Sequence, residues 1–91
     1  MSKLQGLLGK PKTYTIGGIE LELGPRTMND MELLIELTKE DKRGEAMKEL
    51  IKRTLKDAVP DATDEEIGKI AFEHFKALSE AIVEVNGLNA K

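Results

Sequence analysis

A chain of 91 residues with net charge −3 can organise one modest hydrophobic core, which excludes a second catalytic domain and a deep interdomain cleft. At 40% hydrophobic and 34% charged residues it is not a disordered tail, and apolar runs such as Leu33-Leu34-Ile35 fall far short of the roughly 20 residues a membrane span needs. Fourteen Lys+Arg against 17 Asp+Glu give no general attraction to nucleic acid or anionic lipid, and with no cysteine there is no disulfide, thiolate nucleophile or Cys-based metal site.

Residues 1–11 read as a flexible N-terminal arm, because Gly6, Gly9 and Pro11 interrupt any regular period. Its apolar trio Leu4, Leu7 and Leu8 is too short for a signal peptide, which points to work in a reducing cytoplasm. A hairpin is predicted over 12–23. Lys12-Thr13-Tyr14-Thr15-Ile16 alternates, Gly17-Gly18 supplies the positive φ angles of a two-residue turn, and Ile19-Glu20-Leu21-Glu22-Leu23 alternates again. With that turn Ile16 faces Ile19 and Tyr14 faces Leu21, and the apolar residues share one face with Leu23.

Gly24-Pro25 ends the second strand. A first helix is predicted over about 27–39, with Thr27 and Asp30 spaced as a capping box. Met28, Met31, Leu34, Ile35 and Thr38 form its stripe, whereas Leu33 and Leu37 lie off it. A second helix, about 45–59, carries Met47, Leu50, Ile51, Leu55 and Ala58 on one face and stops at Pro60. A third, about 63–86, starts at a Thr63–Glu66 capping box and sustains Ile67, Ile70, Ala71, Phe75, Leu78, Ile82 and Val85. Phe72 falls off that stripe, which hints at a break near His74. Gly87 suits a left-handed helix end, with Leu88 folding back on Val83. The fold class is therefore α+β: one domain over 12–88, an N-terminal hairpin followed by three to four helices, mostly helical, with 89–91 as a C-terminal tail.

Catalytic chemistry finds no foothold, so the reading is no enzyme, no cofactor and no metal. His74 is the lone histidine, and Ser79 lies five residues beyond it, which does not present the two side chains to each other. Asp57, Asp61, Asp64, Glu65 and Glu66 lack the loop spacing of a calcium site and suit helix capping instead. Lys48, Lys52 and Lys56, with Arg53 beside them, form a row that a regulatory nucleic-acid binder would turn to phosphates. Glu45 and Glu49 precede them at ion-pair spacing and no aromatic lies nearby to stack bases, so nucleic acid is disfavoured.

What remains is apolar surplus. Residues 28, 31, 33, 34, 35 and 37 are all apolar, a wider arc than one packing face requires. Either the first helix is covered on two sides, or it offers a strip to an amphipathic partner, for which Met28 and Met31 would be adaptable contacts.

The hairpin text Tyr14-Thr15-Ile16-Gly17-Gly18-Ile19-Glu20-Leu21-Glu22-Leu23 runs into Gly24-Pro25-Arg26-Thr27-Met28-Asn29-Asp30. Later stretches read Val59-Pro60-Asp61-Ala62-Thr63-Asp64-Glu65-Glu66-Ile67 and Leu78-Ser79-Glu80-Ala81-Ile82-Val83-Glu84-Val85-Asn86-Gly87-Leu88. Over roughly residues 12–88 this resembles the small tail assembly chaperones of long-tailed, siphovirus-type bacteriophages and proviruses. The resemblance implies a non-enzymatic protein of the host cytoplasm that leaves before the virion is finished. It would bind the helical, aggregation-prone tape measure protein and keep it soluble while tail tube protein polymerises around it. In many relatives a programmed frameshift appends a second domain, for which Asn89-Ala90-Lys91 is the expected joint. Free hairpin edges add an expectation of self-association. Leu33, Leu37, Phe72 and Val83, the off-stripe apolar residues, are the expected partner-binding or self-contact positions.

Overall fold

In the computed structural model, Leu7 and residues 9–88 are described. Strands β1 (Lys12–Ile16) and β2 (Ile19–Leu23) form an antiparallel hairpin, followed by helices α1 (Met31–Glu36), α2 (Arg43–Ala58), α3 (Asp64–Gly68) and α4 (Phe75–Val85). Single 3-10 turns, Met28–Asp30 and Phe72–His74, lead into α1 and α4. The chain is α+β and mostly helical. Most of the expected arm and all of the expected tail lie outside the described residues.

The hairpin has the anticipated register, Tyr14 opposite Leu21 and Ile16 opposite Ile19. Gly17 and Gly18 hold φ of +62° and +81°, the left-handed pair that a primed turn requires. Gly17 is needed for a second reason. A Cβ there would sit 2.9 Å from Cε1 of His74, so the imidazole rests directly on the turn. Ile16 and Leu23 enter the core, Tyr14 and Leu21 pack on its edge, and Ile19 at the turn stays exposed.

The centre of the molecule is α2. Its buried residues Ala46, Met47, Leu50, Ile51, Thr54 and Leu55 recur at helical spacing and meet Leu23 and Ile16 of the hairpin and Leu78, Ala81 and Ile82 of α4. Each buried Leu or Ile contributes about 2 kcal/mol relative to exposure, which makes this contact the main source of stability.

Helix α1 departs from expectation. It is six residues long, and the hydroxyl of Thr27 accepts from the backbone of Asn29 at 3.3 Å rather than sharing a capping box with Asp30. The Asp30 carboxylate is engaged elsewhere, by the guanidinium of Arg53 and, at 3.6 Å, by Arg26. A charge-assisted contact to two guanidinium groups outcompetes a single neutral cap bond. Because Asp30 faces α2, the residues three, four and seven positions on face it too. Leu33, Leu34 and Leu37 therefore pack on the core, while Met28, Met31 and Ile35, most of the expected stripe, face outward.

Arg26 locks this joint. Its backbone N–H donates to Oδ1 of Asn86 at 2.6 Å, and its side chain also reaches Asp57 at the end of α2. The strand-to-helix connection is thereby pinned to α2 and to the end of α4. That end is closed by Gly87 at φ +67°, with Gly87 N–H donating to the Glu84 carbonyl (3.1 Å) and Leu88 N–H to that of Val83 (2.9 Å). This is the two-bond left-handed helix terminator anticipated there.

The expected third helix is two helices. The Thr63–Glu66 capping box is complete, each side chain bonded to the other's backbone N–H at 3.1 Å, but α3 ends at Gly68. Glycine in a helix interior costs about 1 kcal/mol relative to alanine, and α3 has little buried surface to offset it. The backbone becomes extended at Ala71 (ψ 141°), and a new 3-10 turn starts α4.

Candidate functional site

That break decides what the surface looks like. A continuous helix would have carried Ile70, Ala71 and Phe75 into the core, as the spacing predicts. In the structure all three are exposed, and Phe72 lies 84% exposed with its ring stacked on Phe75, centroids 5.5 Å apart and planes 8° from parallel. Exposed aromatic side chains of this size make this surface the candidate for a contact site.

Two clefts adjoin this pair and share Ile67, Ile70, Ala71 and Leu78 as a common wall. One, of about 360 Å³, lies toward the hairpin turn and includes Ile16, Ile19, Leu55 and Val59. The other, of about 540 Å³, lies between α2 and the start of α4, with Ile51, Phe72 and Phe75 on its lining. Together they make a trough whose walls are predominantly aliphatic and aromatic.

Polar groups occur on its rim. Lys48, Lys52 and Asp64 border the larger cleft. Asp64 accepts a hydrogen bond from Lys56, which holds its carboxyl below the usual range against the opposing effect of burial, and Lys52 stands 3.9 Å away. Lys52 also pairs with Glu49 at 3.4 Å, and Arg53 bonds Glu49 at 2.8 Å and Asp30. The Arg53 bond is the main reason that Glu49 is held low. Three of the four cations in the α2 row are thus already met by carboxylates, an arrangement that blunts any phosphate track.

Three of the acidic residues around the α2–α3 loop are similarly engaged. Asp57 binds Arg26, Asp64 binds Lys56, and Glu66 completes the cap. His74 rests on Gly17, with its Nε2 3.5 Å from Glu73, and the Ser79 hydroxyl is buried without a hydrogen-bond partner among the described residues. Among the described residues no three His, Asp or Glu side chains converge as a metal site, and no helix is long and apolar enough to cross a membrane.

Comparison with protein families, curated proteins and solved structures finds no match. The site therefore rests on its own geometry. Of the four anticipated contact residues, Phe72 is on the trough, whereas Leu33, Leu37 and Val83 are half-buried against the core. Leu33 lies on α1, Leu37 caps its end and Val83 lies on α4, so these positions do not converge on one surface. The residues that join Phe72 are Phe75, Ile70 and Ile19. Gly68, within an otherwise helical pattern, was the signal that could have released Ile70 and Phe75 from the core stripe.

Proposed function

We propose that this chain is a non-enzymatic tail assembly chaperone that binds the tape measure protein and keeps it soluble during tail assembly. The trough beside Phe72 and Phe75 receives an apolar face of the helical partner, while the charged remainder of the domain faces water. The observation that carries this reading is the exposed, stacked phenylalanine pair on the rim of an apolar trough, on a domain with few aromatic residues to spare. A buried aromatic anchor within an apolar surround supplies most of the energy of such an interface. The resemblance of residues 12–88 to tail assembly chaperones supplies the partner class.

Co-expression with a long helical tape measure protein tests the reading. The expected result is a larger soluble fraction of that protein and its co-purification with this domain, both lost in Phe72→Asp. An insoluble partner in both arms overturns it, as does steeply salt-dependent binding of DNA or RNA in place of protein.

A further inference from the structure

The rim of the larger cleft is chemically lopsided. Its lining includes Phe72 and Phe75 at the start of α4, Lys48 and Lys52 of α2, and Ile51, Ile67 and Leu78 among the apolar residues. Lys48 and Lys52 are four residues apart on a helix, so they stand one above the other at a spacing of about 6 Å along the axis. Lys48 is exposed and has no carboxylate at ion-pair distance among the described residues. The one acid on this rim, Asp64, is neutralised by Lys56.

Resting on the reading that the trough takes a partner helix, we propose that it selects amphipathic helices whose apolar stripe is bordered on one side by Asp or Glu. Such a helix, lying along α2, places its apolar side chains between Phe75 and Ile67 and a carboxylate against Lys48, while Lys52 stays shared with Glu49 and Asp64. The arrangement is that of flanking charges beside a coiled-coil seam, where like charges on the flank exclude a wrong partner as effectively as opposite charges admit the right one. The net charge of −3 acts at longer range and is screened by salt, so the discrimination is local to this rim.

Two fluorescent helical peptides of identical composition test this. They share one Leu/Ile stripe; one carries Glu on the flank and Lys on the back, and the other exchanges them, so total charge is constant. Anisotropy titration at low salt is expected to show roughly tenfold tighter binding of the Glu-flanked peptide, a preference that shrinks in high salt. Lys48→Glu, which breaks no ion pair among the described residues, is expected to remove or reverse the preference, and Phe72→Asp to weaken both peptides. Equal binding of both peptides to the unaltered domain overturns the proposal. If Phe72→Asp still abolishes that equal binding, the trough remains the docking site and only the charge selection fails. Binding of neither peptide, with the tape measure protein still rescued in co-expression, overturns the proposal and leaves the chaperone reading standing; loss of rescue as well removes both.

Discussion

The phenol of Tyr14 on β1 donates a 2.8 Å hydrogen bond to Oε1 of Glu84 on α4, joining the first strand to the last helix across 70 residues of sequence. Burial, then the hydrogen bond and charge of Glu84, push the Tyr14 pKa up to about 12. Tyr14 is the single tyrosine and there is no tryptophan, so absorbance of the phenolate reads this one group. Above about pH 10 the unfolded chain loses the proton while the folded chain keeps it. The folded state then binds more protons, and stability is expected to fall as pH rises from 10 through 12. Tyr14→Phe should flatten that part of the stability profile. Glu84→Gln should bring the phenol partway down, since burial remains, and an unchanged titration would remove Glu84 as a cause.

At the hairpin turn, Gly17 faces two demands at once. An L-residue at φ +62° costs about 1–2 kcal/mol in backbone strain, and its Cβ would strike the ring of His74. Gly17→Ala should therefore destabilise by more than about 1 kcal/mol in urea unfolding, and by less in a His74→Ala background, where only the strain remains. Equal losses in both backgrounds would mean that the imidazole moves aside freely.

Leu33 and Phe72 separate core from surface. Leu33→Asp puts a charge against the core cluster and should cost about 2–3 kcal/mol, a large share of the stability of a domain this small. Phe72→Asp should leave the melting temperature almost unchanged, within about 0.5 kcal/mol, while weakening partner binding. Thermal denaturation by circular dichroism distinguishes the two. A cooperative collapse caused by Phe72→Asp would place that ring in the fold rather than at an interface.

Thr54 is 1% exposed, and in the middle of α2 its hydroxyl has no hydrogen-bond partner among the described residues. A buried hydroxyl without a partner carries a desolvation cost that an isosteric methyl group does not. Thr54→Val should raise stability by about 1 kcal/mol, measured as a shift in the urea midpoint at constant slope. A loss instead would point to water held at that position.

Where local chemistry dictates structure, the residues were legible. The Gly17-Gly18 turn, the Thr63–Glu66 cap and the Gly87 terminator each follow from the conformational needs of two or three neighbouring residues, and all are present. The rotation of α1 was not legible. It depends on tertiary contacts with α2, among them Asp30 with Arg53, 23 residues further on, that accompany Leu33 and Leu37 facing inward and Met28, Met31 and Ile35 facing outward. The trough was hidden for a related reason. Apolar spacing favours one helix over 63–86; the off-stripe Phe72 hints at a break near His74, and the weak helix propensity of Gly68 argues for the earlier stop that exposes Ile70 and Phe75.

The wall shared by the two clefts is hung on α3, a helix of five residues. A helix that short has no stability of its own in water, and this one is held by its capping box, by Ile67 against the core edge, and by the Lys56–Asp64 pair. The α2–hairpin–α4 core does not depend on it. Of the shared wall, the part on and after α3 is therefore expected to open at a fraction of the free energy of global unfolding, and its opening would join the two clefts into one.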